Sequence, residues 1–479
     1  MSGRDLSDSV VVLGGGLAGM SAAVRLADEG RTVTLIETSR RLGGRATSHE
    51  DPETGSLVDN CQHVLLGCCT NLIDLYKRLG VESLIRWDED LHFFDKRGRH
   101  DVLKRNGLAA PLHLASLMRF KTLSLGDRLR ISRAMLAMMR LGAKGRLKLD
   151  GVTFESWLLG RGQSRSAIDR FWAVIVVSAL NEMPDRASAA AAIQVFQEGF
   201  LAHRDAYLLG TANVPLRKLY DPAVERIEAA GGGVRFGEAV DRIELDEDAK
   251  RVATVVLKSG DRLEAGRVVS ALPFDRLMKV LPDGAAGLDD RFARLDRFTH
   301  SPILGIHLWF DGQVVPHPHM IYVDSPLQWV FNKGMVGRTG EDGSGSGTGS
   351  LQYLHGVVSA ARQWVGEPAD RIVEMAVAEL SDYMGEGVGE RLVRGRVIKE
   401  KRATFAIEPG LAEARPSAVG AIENLILAGD WTDTGWPATM EGAVRSGYRA
   451  AGCVMQDGVE TGHIERDLPV AGIVSWLGH

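Results

Sequence analysis

Residues 10–37 read VVVLGGGLAGMSAAVRLADEGRTVTLIE, and no other stretch restricts the fold so severely. Val10 to Leu13 form a short apolar run that stops at glycines, the pattern of a buried parallel strand. Gly14-Gly15-Gly16-Leu17-Ala18-Gly19 then satisfies GxGxxG. Gly14 suits a tight turn, Gly16 a close backbone approach to a pyrophosphate, and Gly19 close packing of helix on strand. Leu17 to Glu29 has helical spacing with Gly30 as its C-cap, and Thr32 to Ile36 reads as a second strand closed by Glu37. An acidic residue there accepts both ribose hydroxyls of an adenosine and repels a 2′-phosphate. A glycine-rich turn alone is a weak signal. Framed by strand, helix and a second strand ending in Glu, it predicts a dinucleotide-binding α/β domain.

Composition bounds the rest. The 479 residues suffice for one large two-lobed domain or two to three ordinary ones, and 45% apolar residues support a substantial core. A formal charge of −5 gives no reason to expect a nucleic-acid partner. Cys61, Cys68, Cys69 and Cys453 are too few and too unevenly spaced for a disulfide framework, which predicts free thiols in a reducing compartment. The N-terminus lacks a basic region leading into a long apolar run, and charge interrupts every apolar run before 18 residues. The expected location is the cytoplasm, with a peripheral contact at the inner face of the membrane left open. No histidine or cysteine spacing suggests a metal site.

Past the opening unit, Arg41-Leu42-Gly43-Gly44-Arg45 can bring backbone N–H groups and a guanidinium to an anion. Thr70 or Asn71 can cap a helix ending at Gly80, and Leu91 to Phe94 with Gly98 to Val102 read as a hairpin. From about 111 to 200, apolar residues recur at helical spacing, as in DRLRISRAMLAMMRL and IDRFWAVIVVSAL. These segments form a mostly helical insert, read as plain helix packing, as a lid over an apolar tunnel, or as a surface touching lipid. Strands return around the polar turn DEDAKR, and the run ending at Leu272 rejoins the nucleotide sheet. Alternation through 300 to 415 predicts a mixed sheet with a covering helix near 368 to 384, and the glycine-serine tract at 337 to 350 predicts a surface loop. Leu425 to Ala428 read as a buried strand ending at Gly429-Asp430, followed by a helix from Met440.

The opening fingerprint, RLGGR, GDW and TMEGAV together resemble the flavin-containing amine oxidase and carotenoid desaturase superfamily across about 10 to 455. Within it, LVDNCQHVLLGCCTNLIDLYKRLGV and AGDWTDTGWPATMEGAVRSGYRAA look like the squalene-associated flavoproteins, the hydroxysqualene dehydroxylases. The position of Cys61 is usually glycine in that pattern, a departure that leaves Asp59, Asn60, Gln62 and His63 intact. The resemblance implies FAD as cofactor, held without a covalent link because no cysteine falls between Gly429 and Gly442. It implies an amine-oxidase-like fold: a Rossmann-type FAD-binding domain from 1–95, 211–298 and 416–479, a helical substrate insert at 96–210, and a mixed substrate sheet at 299–415. The FAD-binding positions it implies are Gly14, Gly16, Leu17, Ala18, Gly19, Glu37, Arg41, Gly43, Gly44, Arg45, Val240, Gly429, Asp430, Thr439, Met440 and Ala443.

The implied reaction removes the hydroxyl of hydroxysqualene to give squalene, using FAD reduced by an unidentified electron donor. Loss of an allylic hydroxyl as water wants a proton donor. His63 is the first candidate because it titrates near neutrality, and Asp59 is the second. Gln62, Trp329 and Trp436 are candidate contacts to an apolar isoprenoid substrate, with His203 and Glu182 behind them. The same flavin site can also run as a desaturase or amine oxidase, in which FAD accepts the hydride.

Overall fold

The computed structural model describes residues 9–264, 266–337, 350–455, 463–472 and 474. Nearly all of the glycine-serine tract at 337 to 350 lies outside them. The nucleotide unit is a five-stranded parallel sheet. Its central strand Ser9–Leu13 pairs with Thr32–Glu37 on one side and Arg267–Ser270 on the other, while Gly233–Phe236 and Leu425–Leu427 form the edges. Val10, Val12, Val33 and Leu35 are buried beneath the helix Leu17–Asp28, as continuous apolar strands covered on their faces require. The helix Met440–Met455 packs beside Leu17–Asp28, where Gly447 admits the backbone of Ala18 and Ala22. The anticipated return of Arg267–Ser270 to this sheet is observed.

The second layer is a seven-stranded mixed sheet built on His300–Asp311, flanked by Leu392–Phe405 and Ser350–Val358. Alternation divides its two faces. Leu304, Ile306, Leu308 and Phe310 meet Ile372, Ala376 and Leu380 of the helix Ala369–Met384, which covers the outer face as predicted. Gly305, His307 and Trp309 face the other way. The hairpin expected near 91 to 102 forms from Leu91–Phe94 and His100–Leu103. It joins the edge of this sheet through a parallel pairing with His319–Tyr322.

The stretch from 112 to 201 is helical, with its longest element at Leu125–Met139 and two π-helical turns, Ile168–Trp172 and Gln197–Leu201. Phe154, Phe171, Trp172 and Phe196 make its core, with ring centroids 4.7 to 6.2 Å apart. Glu182 fastens this unit to the sheet layer by a two-pronged pair with Arg362 at 2.7 and 2.6 Å. That geometry makes Glu182 a strut. Asn181, in a left-handed conformation at φ 55°, adds a hydrogen bond of 2.9 Å to the carbonyl of Ser301.

Candidate active site

Two glycine loops meet at the carboxyl ends of the parallel strands. Gly14 adopts φ +100° and donates its amide to the carbonyl of Ile36, and a β-carbon on Gly19 would overlap the Gly14 carbonyl. Gly43 adopts φ +102°, donates to Gly15 at 2.9 Å, and forms a bridge with Gly16. A side chain on Gly44 would stand 3.0 Å from the Cα of Gly16. No side chain caps the helix that begins at Leu17 and Ala18. An uncapped, buried helix start leaves its first amides for an anion. Glu37 is buried at the end of its strand, receiving Gly15 N at 2.6 Å through Oε2 and the amide and hydroxyl of Ser39 through Oε1. Beside it, Glu238 donates its amide to the Glu37 carbonyl, which sets Val240 close to this acidic end.

The guanidinium of Arg41 holds His49 at 2.8 Å while its buried Nε has no partner. Arg45 donates to Asp430 at 2.5 Å and to the carbonyl of Ala403 at 3.1 Å. These two residues line a cavity of about 200 Å³ together with Phe274, His300, Glu400 and Trp431. Gly429, at φ +141°, donates to the Ser446 hydroxyl at 2.7 Å and turns the chain into Asp430. Arg415 fixes that turn by donating to the Asp430 carbonyl and the Thr434 hydroxyl, and burial lowers its pKa to about 10. Thr439 accepts the amide of Gly442 at 3.1 Å and so caps the following helix, leaving Met440 and Ala443 half-buried at its start. A paired glycine cradle, an uncapped helix start, an unpartnered buried guanidinium nitrogen and an acidic ribose acceptor fit an adenine dinucleotide.

One residue of this region escaped sequence reasoning. Glu441 is buried and binds the amides of Asn71 and Leu72 together with the Arg445 guanidinium at 2.7 Å. It thereby caps the helix Thr70–Arg78, where the sequence suggested only Thr70 or Asn71. Glu441→Ala leaves the buried amides of Asn71 and Leu72 without their acceptor, while Arg445 keeps Asp467, so we expect a loss of about 1–3 kcal/mol, measurable by urea unfolding.

A second group of side chains gathers around residues 59 to 63. The Asn60–Cys61 backbone lies directly on the sheet, where a β-carbon on Gly305 would sit 2.6 Å from the Asn60 carbonyl. Asn60 spans the two parts of the site, donating to the Arg45 carbonyl at 2.6 Å and to Glu400 at 3.1 Å. Burial pushes the Cys61 thiol up to about 12, which keeps it protonated and unreactive. Asp59 Oδ1 accepts the Ser48 hydroxyl at 2.8 Å and the Leu216 amide at 2.9 Å. His63 Nδ1 lies 2.9 Å from the Cys61 carbonyl; a carbonyl only accepts, so Nδ1 carries the proton. Burial lowers the His63 pKa, so at neutral pH the ring is uncharged and Nε2 is an acceptor.

The charged group here is one the sequence reading passed over. Lys333, on the strand Trp329–Gly337, donates to Gln62 Oε1 at 3.2 Å and stands 4.0 Å from Asp59 Oδ2. Burial lowers its pKa and the Asp59 charge opposes that shift. The same strand stacks Trp329 on Phe331 with centroids 5.3 Å apart, and Trp329 Nε1 donates to Ser178 of the helical layer at 2.6 Å. Trp436 sits elsewhere, packed with Cys68 and Ala206 under the Arg445 guanidinium at 4.6 Å. His203 accepts the Asp205 amide in a turn of the insert. His355, buried under the Asn60–His63 loop, has both ring nitrogens unpartnered.

This fold and cradle define a flavin-dependent oxidoreductase: the flavin-containing amine oxidoreductase profile matches residues 17–455, and the chain belongs to that family. Its cofactor is FAD. The chain is 31% identical over 466 residues to a hydroxysqualene dehydroxylase of Rhodopseudomonas palustris, covering 95% of this chain and all of that one. It is 27% identical over 462 residues to a 15-cis-phytoene desaturase of Synechococcus elongatus, covering 93% and 95%. Cyclohexylamine oxidase from Brevibacterium oxydans shares the fold at a TM-score of 0.68 with 18% identity, over 94% of this chain and 99% of that one.

Proposed function

We propose that the protein is an FAD-dependent reductive dehydroxylase that converts hydroxysqualene to squalene. The observation that carries this reading is Lys333, a largely buried ammonium whose nearest polar partners are Gln62 and Asp59, at the end of an aromatic strand face. Loss of a hydroxyl as water needs a proton at the oxygen, and a buried ammonium with a lowered pKa is a stronger acid than a free lysine. Asp59 keeps Lys333 charged in the resting site, and Gln62 directs its proton. His63, neutral and with Nε2 free to accept, holds the departing water. Trp329 and Phe331 present apolar faces to the allylic cation, each worth about 0.5–2 kcal/mol once water is excluded. When bound in its reduced form, FAD supplies the hydride that completes the product. Gly14, Gly16, Gly19, Gly43 and Gly44 cradle its pyrophosphate, with Leu17 and Ala18 at the helix start. Glu37 and Val240 take the adenosine end. Arg41, Arg45, Gly429, Asp430, Thr439, Met440 and Ala443 position the remainder. Trp436 packs in its own cluster with Cys68 and Ala206, apart from this aromatic face.

Sequence similarity supports a dehydroxylase and a desaturase alike, so product identity decides. Enzyme kept reduced by dithionite and given detergent-dispersed hydroxysqualene yields squalene on extraction. Oxidised enzyme given 15-cis-phytoene yields no new conjugated double bonds. The converse pair of results would make it a desaturase.

A further inference from the structure

The charge of this chain is unevenly placed. The whole carries −5, yet between residues 104 and 148 eleven lysines and arginines accompany a single carboxylate, Asp127. Asp127 is already engaged by Ser124, Ser164 and Arg130. Among the described residues, the ion pairs of this stretch are those of Arg105 with Glu89 and Asp205, Arg130 with Asp127, and Arg146 with Glu198. Arg119, Lys121, Arg133, Arg140 and Lys144 remain exposed without a carboxylate partner.

The same stretch turns large apolar side chains to solvent. In the 3₁₀ segment Leu112–Arg119, Leu112 is 51% and Met118 39% exposed, with Ala115 exposed between them. Side chains three apart eclipse in such a helix, so these three form one edge. The next helix, Leu125–Met139, buries Ile131, Ala134, Met135 and Met138 and leaves Leu125 62% and Leu129 49% exposed. Leu125 and Leu129 are i and i+4 and share a face. The two edges join: the Met118 sulfur is 3.6 Å from the Ser132 hydroxyl, and Arg128 donates to the Met118 carbonyl at 2.7 Å.

We infer that this face docks on the surface of an anionic phospholipid bilayer. Leucine and methionine edges enter the boundary between headgroups and acyl chains, and the unpaired cations around them meet lipid phosphates, the pattern of an interfacial helix. No described helix is long and apolar enough to cross a membrane, so this face rests on one leaflet. Charge complementarity selects the occupant: a stretch with one carboxylate among eleven cations, on a chain that is otherwise acidic, fits a surface of fixed negative charge. The inference does not depend on the direction of hydride transfer.

The test is flotation of the full-length holoenzyme with vesicles of 1:1 phosphatidylglycerol and phosphatidylcholine, and separately with pure phosphatidylcholine. We expect binding to the anionic vesicles at least about tenfold above that to neutral ones, falling at least about tenfold in high salt. L125E/L129E and R133E/K144E each lose binding to a similar degree while keeping FAD absorbance, melting temperature and turnover of detergent-dispersed substrate. Equal binding to neutral vesicles, no binding to anionic ones, or unaltered binding by both variants overturns the inference. So does self-association of the wild type, abolished by L125E/L129E, in the absence of vesicle binding.

Discussion

Gly19→Val gives a protein purified with less flavin than the wild type. The β-carbon would overlap the carbonyl of Gly14 and stand 3.0 Å from the Ala271 side chain, so the helix Leu17–Asp28 must lift from the turn it covers. Overpacking of this kind costs about 1–3 kcal/mol. The displaced element is the one whose first amides are proposed to face the pyrophosphate, so FAD affinity is expected to fall about ten- to hundredfold, since each 1.4 kcal/mol is tenfold. Flavin absorbance per protein, with titration of added FAD, measures the loss. Wild-type flavin content in this variant would contradict the assignment of the cradle.

Lys333→Met is expected to leave flavin content unchanged and to reduce the rate constant for dehydroxylation by at least about a hundredfold, the lower range of general-acid catalysis. Methionine keeps the length of the side chain, and Asp59 keeps its hydrogen bonds from Ser48 and Leu216, so the fold is retained. The pH dependence carries the sharper sign. A general acid acts in its protonated form, and burial places the Lys333 pKa below 10.5. The wild-type rate is therefore flat on the acid side and falls as pH rises through a value below 10.5. Lys333→Met loses that limb. A donor role for His63 would instead place the fall below 6.5, because burial lowers its pKa from there, and His63→Gln would remove it.

The glycine cradle and its acidic neighbour were legible in sequence because short-range backbone demands write them. Gly14 and Gly43 need positive φ, Gly19 must admit a carbonyl, and Glu37 must end the second strand, 22 residues from the Gly15 amide it accepts. The expected amine-oxidase-like architecture came from the resemblance carried by RLGGR, GDW and TMEGAV, while strand and helix periods marked its separate elements. The proposed reacting half was not legible, because register assembles it. Lys333 meets Gln62 across 271 positions, on a strand whose alternation slips between Asn332 and Met335. That irregularity hid a lone cation in QWVFNKGM, although a lysine amid aromatic strand residues was the available signal. The preference for His63 as proton donor rested on its free-solution pKa. The Cys61 carbonyl and burial leave it an acceptor, a change that only tertiary structure reveals. Glu441 was visible inside TMEGAV, but its partner Asn71 lies 370 residues away.

The most direct measurement is a single anaerobic turnover. Enzyme with its FAD fully reduced is mixed with hydroxysqualene while the flavin spectrum is followed, and the organic phase is then analysed. Reductive dehydroxylation predicts one squalene formed for each flavin reoxidised. Flavin that stays reduced, with the alcohol recovered unchanged, would contradict it.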